Sequence, residues 1–290
     1  MHVALLTAFT MGAFAANSIL TRLAVDGGYS DPVSFAVLRV LAGALVLVAL
    51  VLPQTQQITW KNPLRAVGAA SLAIYMIGFS MAYVTLDAGL GALILFGVVQ
   101  ITMFLHAAMR GQNPTIRQII GASIAFAGLV MALWPAPSST SDPVGAMWMV
   151  LAGLGWAAYT ISGRNADHPL AATAANFCLC LVPLAMVLLP FANFITPWGF
   201  LLAFICGGVT SGLGYALWYR VLPKLQQSVA AVVQLSVPII AILAGAVLLS
   251  ESITRVVIAA ALCVVFGIGL AVTSQSAQAD RKRPPSPPTR

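Results

Sequence analysis

Two stretches of this chain carry the same pattern: Phe14-Ala15-Ala16-Asn17-Ser18-Ile19 and Trp156-Ala157-Ala158-Tyr159-Thr160-Ile161. Each begins with an aromatic residue and two alanines, and each is followed three residues later by an arginine. Those arginines, Arg22 and Arg164, are 142 residues apart. The match indicates two copies of one unit rather than the chance recurrence of a short sequence motif.

The distance between matching positions stays nearly constant along the chain. Pro53 matches Pro190 at an offset of 137, and Thr115 matches Thr254 at an offset of 139. This constancy predicts a duplication of a whole half, with small insertions in the loops. The predicted units are residues 1–135 and residues 143–273, followed by a tail at 274–290.

The composition identifies the solvent of this chain. Hydrophobic residues make up 60% of it and charged residues only 7%, whereas soluble domains carry about 25% charged residues. Membrane lipid must therefore surround most of the chain. The net charge of +7 comes from basic residues spread over many loops, without the basic and aromatic motifs of nucleic-acid binders, so no nucleic-acid partner is expected.

The apolar segments are long enough to cross a membrane, which takes about 20 residues in a helix. Five spans per copy force the second copy to enter the membrane upside down, as in transporters built from inverted repeats. We therefore predict an all-α membrane protein of two inverted five-helix repeats around a central cavity, as a monomer or a homodimer. The ten predicted spans are 3–23, 33–52, 64–86, 89–109, 116–134, 144–162, 170–190, 198–219, 227–249 and 255–273.

The distribution of Lys and Arg predicts the orientation. With a cytoplasmic N-terminus, eleven basic residues lie in cytoplasmic loops and the tail, and only Arg22 and Arg255 lie opposite. We expect both termini in the cytoplasm and a multi-pass protein of the bacterial inner membrane. The tail at 274–290 is polar, proline-rich and basic; this predicts disorder and contact with anionic lipid.

No acidic residue falls in the middle of a predicted span. Proton- and sodium-coupled carriers commonly use an intramembrane carboxylate, so the pattern favours a facilitator or an exchanger over a carboxylate-coupled pump. It also gives no reason to expect a metal or another cofactor. The seven acids, all in loops, span ends or the tail, are Asp26, Asp31, Asp87, Asp142, Asp167, Glu251 and Asp280.

Arg39 lies two turns into the second span, where a charge is costly unless it snorkels, pairs or faces water. It could reach the membrane interface, bond to carbonyls at a helix end, or bind an anionic group of a substrate. Its counterpart in the second copy is the neutral Asn176, so the two halves do not need a charge here equally.

Aromatic and amide side chains complete the candidate site. Tyr75, Phe79 and Tyr83 lie on one stripe of the third span, and Tyr83, near the span end, is assigned to an interfacial aromatic belt. Buried amides need hydrogen bonds; they could join helices, but a polar central cavity explains all these residues together. The candidate substrate-binding residues are Asn17, Arg39, Tyr75, Phe79, Gln100, Trp156, Tyr159, Tyr215 and Gln234.

These motifs resemble the drug/metabolite transporter superfamily, in its EamA-like ten-helix branch. The resemblance rests on five stretches, residues 15–18, 34–39, 91–100, 211–219 and 233–238, and reaches to about residue 273. The glycine–glutamate pair of that branch corresponds here to Gly111-Gln112 and Ser250-Glu251, so each copy has lost one member. The resemblance implies a basket of helices with the fifth and tenth at the periphery, and export of small organic solutes. Exporters of aromatic amino acids are the first branch to compare.

Together these observations predict a secondary transporter that moves a small organic metabolite by alternating access. The first expectation is export or exchange of an amino acid, in particular an aromatic one. The alternative is a proton-coupled exporter of drugs or other metabolites. An intramembrane enzyme is not expected, because Ser211 lies near mid-span whereas His106, the histidine within a span, lies close to a span end.

Overall fold

A computed structural model of the chain describes residues 2–54, 58, 60, 62–111, 115–133, 142–163, 166, 168–221, 224, 225 and 233–281. These residues are almost all helical; the one β contact among them is an isolated antiparallel bridge between Ser30 and Ile195. The all-helical fold class predicted from composition and span length is confirmed.

The described helices follow most of the predicted spans, with the eighth divided into three consecutive segments. The predicted start of the ninth span, at residue 227, lies outside the described residues. Seven are long and apolar enough to cross a membrane, and α5, α9 and α10 contribute shorter apolar stretches. The helices are α1 (His2–Val25), α2 (Pro32–Val51), α3 (Leu64–Ala82), α4 (Ala88–Met109), α5 (Ile116–Leu133), α6 (Pro143–Gly163), α7 (Pro169–Leu188), α8 (Pro197–Phe204, Ile205–Leu213 and Gly214–Val221), α9 (Ser236–Leu248) and α10 (Arg255–Arg281).

Two helix starts show how the sequence sets these boundaries. Asp31 precedes α2, and its carboxylate accepts hydrogen bonds from the backbone N–H groups of Val33 and Ser34. Thr196 precedes α8 and accepts from the N–H of Gly199. In both helices a proline follows the capping residue, where its missing N–H removes no helical hydrogen bond.

Helix packing follows a two-fold pattern that relates α1–α5 to α6–α10. The α3–α6 contact corresponds to α8–α1, α2–α8 corresponds to α7–α3, and α4–α6 corresponds to α9–α1. Three helices pack on their own counterparts, in the pairs α2–α7, α4–α9 and α5–α10. The core therefore lies between the two repeats rather than inside either one.

The contacts between loops show that the second repeat is inverted. The α1–α2 loop is the first loop of its repeat, and the α7–α8 loop is the second of its own. They meet at one end of the bundle through the Ser30–Ile195 bridge and a backbone bond from Asp31 to the carbonyl of Phe194. Equivalent loops of the two repeats must therefore lie at opposite ends.

Helices α5 and α10 form a pair that contacts the rest of the bundle mainly through α4. Their backbones approach closely, because a Cβ on Gly121 would meet the carbonyl oxygen of Gly267, and one on Gly128 would meet Cys263 and Ala260. Small residues permit this approach between membrane helices. The pair occupies the side of the bundle that the resemblance implied for the fifth and tenth helices.

The distribution of apolar side chains is the reverse of that in a soluble protein. Phe9, Phe126, Val247 and Phe266 are more than half exposed, whereas polar residues such as Arg39 are buried inside. An exposed apolar surface of this extent requires lipid around it.

The eighth span differs from the continuous α-helix predicted over 198–219. Its middle segment, Ile205–Leu213, is π-helical. Three glycines in this segment weaken the α-helical preference, and the Thr210 hydroxyl lies 2.9 Å from the carbonyl of Cys206 on its own helix. A π segment inside a helix rotates the following side chains and often marks a functional site.

The end of α10 corrects another prediction. The helix continues through Arg281, so residues 274–281 are not the disordered tail expected from their composition. Extending a helix that already exists costs little, since nucleation is the unfavourable step. The remainder of the predicted tail, residues 282–290, lies outside the described residues.

The ends of α4 and α9 support the alignment of the two repeats. Gly111 follows α4 with φ +79°, and Ser250 follows α9 with φ 57°. Both are the first residue of the paired motif identified in the sequence. A left-handed residue at this position closes a helix C-terminus, and glycine adopts it without the steric cost that serine bears.

Candidate functional site

Arg39 is fully buried where α2, α3 and α8 meet. Its Nε and Nη2 atoms lie 3.3 and 3.2 Å from the Ser211 hydroxyl, and Nη2 lies 3.2 Å from the Tyr75 hydroxyl. These contacts exclude snorkelling, since no part of the side chain reaches the surface. Its bonds go to side-chain hydroxyls of two other helices rather than to carbonyls at a helix end.

Ser211 connects Arg39 to Asn17 of α1. A guanidinium only donates hydrogen bonds, so the Ser211 oxygen accepts from Arg39 and its own proton is free for the Oδ1 atom of Asn17, 3.0 Å away. The same Oδ1 atom also accepts from Thr210 at 2.7 Å. The π-helical segment of α8 thus presents two consecutive hydroxyls to the first repeat.

The positive charge of Arg39 has no carboxylate beside it. In the part of the chain that the structure describes, the ion pairs all involve Arg22, and Arg39 Nη1 has no hydrogen-bond partner. The guanidinium carbon lies 4.8 Å from the Phe79 ring centre and 5.5 Å from that of Tyr75. Ring faces attract a cation but do not neutralise it.

Trp156 of α6 is the centre of an aromatic cluster that spans both repeats. It stacks on Tyr215 at 5.3 Å between ring centres with an angle of 20°, and on Tyr159 at 5.5 Å with 29°. Tyr75 of the first repeat meets it at 4.9 Å, and Phe79 meets Tyr75 at 5.2 Å. The arginine and the rings therefore form one continuous site between the halves.

The structure brings seven of the nine candidate residues into this site: Asn17, Arg39, Tyr75, Phe79, Trp156, Tyr159 and Tyr215. Gln100 and Gln234 are partly buried and take no part in the contacts described above. Their place at the site stays a prediction.

Sequence reasoning missed several members of the site. Thr210, Ser211 and Cys206 all contact Asn17, and Phe14 packs its ring 5.7 Å from that of Tyr215. The glycine-rich context of Ser211 was visible in the sequence. The π-helical geometry that turns Thr210 and Ser211 toward one acceptor was not.

Tyr83 corrects the assignment to an interfacial belt. It is fully buried, and its hydroxyl donates to the carbonyl of Ala88 at 3.2 Å. Its ring meets Phe79 edge-on at 4.8 Å. The chain turns directly after α3, so a residue near the end of the span is covered by the following helix instead of facing headgroups.

Above this site, one end of the bundle is closed by contacts centred on Arg22. Its Nη1 atom donates to the carbonyls of Tyr83 and Val84, both at 3.1 Å. Nη2 lies 3.7 Å from Asp87, and Nε lies 3.8 Å from Glu251. The carboxylate of Glu251 in turn accepts from the N–H of Ala88 at 2.7 Å, at the start of α4. Arg22 therefore joins α1, the α3–α4 loop and the α9–α10 loop.

Two aspartates complete what we call the sealed face, the end of the bundle that carries Arg22, Asp31, Asp87, Asp142 and Glu251. Asp31 accepts hydrogen bonds from the N–H groups of Asn193 and Phe194 in the α7–α8 loop. Asp142 accepts from the Thr85 hydroxyl at 3.2 Å. Every loop that follows an odd-numbered helix thus contributes to this face.

The carboxylates of the sealed face differ in acidity. Burial raises the pKa of Glu251, and the nearby charge of Asp87 raises it further, although the N–H of Ala88 opposes both. Burial also acts to raise the pKa of Asp31, but hydrogen bonds from Ser34, Phe194 and Asn193 outweigh it, and the net effect is a lowered pKa. Asp31 is therefore held as a carboxylate, while Glu251 is the more readily protonated of the two.

A family model for the EamA-like transporter family matches residues 2–134 and 143–273. The chain belongs to this family. The match covers both repeats and confirms the resemblance drawn from the sequence motifs. The chain is accordingly a multi-pass membrane protein that transports small molecules.

Several curated proteins are similar over nearly their whole length. An uncharacterized protein of Pseudomonas aeruginosa is 42% identical over 286 residues, covering 96% of this chain and 97% of the relative. An uncharacterized transporter of Archaeoglobus fulgidus is 27% identical over 84% of this chain and 90% of its own length. The uncharacterized transporter YvbV of Bacillus subtilis is 25% identical over 96% of this chain and 93% of its own.

A solved structure shares the fold. One crystal structure superposes with a TM-score of 0.68 at 17% sequence identity, and covers 94% of this chain and 98% of its own. At this identity the likeness concerns the arrangement of helices alone. The side chains of the central site have to be interpreted from this chain itself.

Proposed function

We propose that this transporter exports or exchanges a small amphipathic metabolite, in the first instance an amino acid, across the bacterial inner membrane. The observation that carries the proposal is the site between the repeats, where Arg39 and Tyr75 of one half meet Ser211 and Trp156 of the other. Aromatic faces suit the apolar part of such a solute, and aromatic amino acids are the first substrates to examine.

The sealed face supports transport by alternating access. In such a mechanism the central site opens to one side at a time as the repeats move against each other. Arg22 bridges helices and loops of both repeats by polar contacts of 3.1 to 3.8 Å, so these contacts can break and reform as a unit. We assign this closure to the gate of one side.

The distribution of basic residues assigns the gate to the outer side. In the topology predicted from the sequence, only Arg22 and Arg255 of the loop and tail basic residues fall on the side of the sealed face, and the others fall on the opposite side or in the tail. Loops rich in Lys and Arg remain in the cytoplasm. We therefore assign both termini to the cytoplasmic side. The described conformation is then closed to the outside, and ten crossings bring both termini to one side.

A proton-coupled exporter is the second candidate, and Glu251 is the observation that favours it. Its pKa is raised by burial, and it contacts Arg22 of the gate. Protonation of Glu251 would weaken this contact, which would link gate opening to pH. The Glu251 carboxyl lies in a loop rather than at mid-depth in the membrane. In this alternative, the proton therefore acts on the gate and not on the central site.

Flux into liposomes containing the purified protein tests the proposal. We expect saturable uptake and counterflow of a labelled amino acid, and a loss of flux in Tyr75→Ala and Tyr215→Ala. A matched control is Phe204→Ala, because Phe204 stacks on Phe200 on the exposed side of α8. The absence of saturable flux across a broad amino-acid panel, or equal flux in the site and control variants, contradicts it. A pH gradient that drives flux in wild type and not in Glu251→Gln selects the second candidate.

A further inference from the structure

Arg39 is a buried cation that has no carboxylate beside it among the described residues. It is fully buried, its Nη1 has no hydrogen-bond partner in that part of the chain, and its guanidinium meets two neutral hydroxyls and two rings. Arginine does not lose its proton in proteins, so it cannot escape the cost of burial by neutralisation. Removing such a charge from water costs several kcal/mol unless an anion compensates for it.

We propose that Arg39 is the anion-binding group of the central site, and that the substrate must carry a single carboxylate. This inference rests on the proposed function, since it concerns the same site. The free Nη1 atom supplies the donor for the carboxylate, while Ser211 and Tyr75 hold the other nitrogens in place. A charge-assisted hydrogen bond of this kind is stronger than a neutral one.

The positioning of Arg39 is built into the fold. Ser211 accepts hydrogen bonds from both Nε and Nη2, and its own hydroxyl donates to Oδ1 of Asn17. Tyr75, from the same repeat as Arg39, holds Nη2 at 3.2 Å. With these nitrogens fixed, the direction of the N–H groups on Nη1 is fixed too. Such preorganisation favours one anion geometry over free rotation of the side chain.

The charge of the site limits the substrate to a monoanion. Arg22, on the sealed face, is already engaged by Asp87 and Glu251. A phosphate or a dicarboxylate would bring a second negative charge with no cation to meet it, which is unfavourable in a buried site. A monocarboxylate balances the charge of Arg39 alone.

An ammonium group on the substrate is tolerated rather than required. Asn17 Oδ1 already accepts from Ser211 and Thr210, so it offers little to a further donor. The rings of Tyr75 and Trp156 can attract an ammonium through their faces. We therefore expect a carboxylic acid without an amine to bind at least as well as the matching amino acid.

The test uses wild-type protein in detergent and four small probes of similar shape. They are 3-phenylpropionate, its neutral amide, 3-phenylpropylamine and phenyl phosphate, each titrated while the thermal unfolding midpoint is followed. We expect stabilisation by the carboxylate with an apparent affinity at least about tenfold above that of the amide, the effect of one hydrogen bond to a charged group. Equal stabilisation by the amide, or stronger stabilisation by phenyl phosphate, overturns the proposal.

Variants assign the effect to Arg39. Arg39→Gln should abolish the difference between acid and amide, and Arg39→Lys should keep part of it. Arg255 is an exposed arginine at the start of α10. Arg255→Gln removes the same charge and should leave the difference between acid and amide unchanged. If neither Arg39 variant remains folded, Tyr75→Phe decides, because it removes only the hydroxyl that holds Nη2. A lowered ratio of acid to amide affinity in this variant supports the proposal, and an unchanged ratio contradicts it.

L-Phenylalanine separates this inference from the proposed function. If liposomes take up the amino acid but acid and amide bind equally, the transport proposal stands and the anion subsite is wrong. If the acid binds through Arg39 and no amino acid is moved, the subsite stands and the substrate of the proposed function is wrong.

Discussion

The hydroxyl of Ser211 in the second repeat accepts two hydrogen bonds from the guanidinium of Arg39 in the first, at 3.3 and 3.2 Å. This pair joins α2 to the π-helical segment of α8 at the centre of the molecule. The two residues belong to different repeats. Any rocking of one half against the other must therefore either move Arg39 and Ser211 together or break their hydrogen bonds.

Replacement of Ser211 tests how far the fold depends on this contact. Ser211→Ala leaves Nε of Arg39 without an acceptor inside the protein, and we expect a loss of about 1–3 kcal/mol of stability, the cost of an unpaired buried polar group. Thermal unfolding of the purified protein measures the loss. Thr102→Ala is the control, since within the described residues its hydroxyl bonds to the carbonyl of Val98 on its own helix. Equal effects of the two changes contradict the central role of Ser211.

Arg22 should control access to the site from the sealed face. Arg22→Gln removes its ion pairs with Asp87 and Glu251, each worth about 1 kcal/mol or less when partly exposed. The open population should therefore rise several-fold. Cys206 reports this opening, because it is buried under the sealed face among Ala24, Phe35 and Leu202.

The measurement is the rate at which a membrane-impermeant thiol reagent labels Cys206 in intact cells, with Cys178, Cys180 and Cys263 replaced by alanine. We expect faster labelling in Arg22→Gln and no change in Arg255→Gln. Labelling that is equally slow in both proteins contradicts the assignment of Arg22 to the gate.

Asp31 should make stability depend on pH at the acidic end. Its pKa is lowered from the usual 3.8, so the carboxylate contributes stability above that value, and the contribution is lost as pH falls through the lowered pKa. Asp31→Asn should cost about 1 kcal/mol at pH 7, because asparagine still caps the helix but accepts hydrogen bonds from the N–H groups of Asn193 and Phe194 without a negative charge. It should flatten the profile below pH 3.8.

Unfolding midpoints measured across the acidic range provide this profile. Asp142→Asn serves as the control, because Asp142 also accepts a backbone N–H near a helix start but is less buried than Asp31. We expect a smaller loss of stability in Asp142→Asn than in Asp31→Asn. A wild-type profile that Asp31→Asn does not change shows that other groups dominate acid unfolding.

Gly207 should tolerate no side chain. A Cβ at this position would meet the carbonyl oxygen of Arg39 well inside van der Waals contact, because α2 and the π segment of α8 touch through their backbones. Gly207→Ala should cost several kcal/mol or prevent folding, since backbone cannot move aside as a flexible side chain can. The yield of monodisperse protein measures it. Gly12→Ala, with open space around its Cβ, should fold normally; comparable yields of the two variants contradict the close approach.

The sequence predicted the features that depend on local interactions and missed those that depend on contacts between distant parts of the chain. The spans and the duplication were predictable because each helix must satisfy its own backbone in lipid, a local requirement that composition reveals. The tail was mispredicted beyond 273 because α10 carries its helix through Arg281. Tyr83 was misassigned because a turn after α3, not depth in the membrane, decides its burial.

For the site, sequence alone identified Arg39 as a charge in a span without any carboxylate at similar depth. That imbalance is a property of composition and needs no coordinates. Only the tertiary structure decided that Ser211, Tyr75 and Asn17 meet it. These contacts join helices as many as 194 residues apart in sequence, and they depend on how a π-helical segment rotates two hydroxyls. No local pattern specifies that rotation, because the packing of the two repeats selects it.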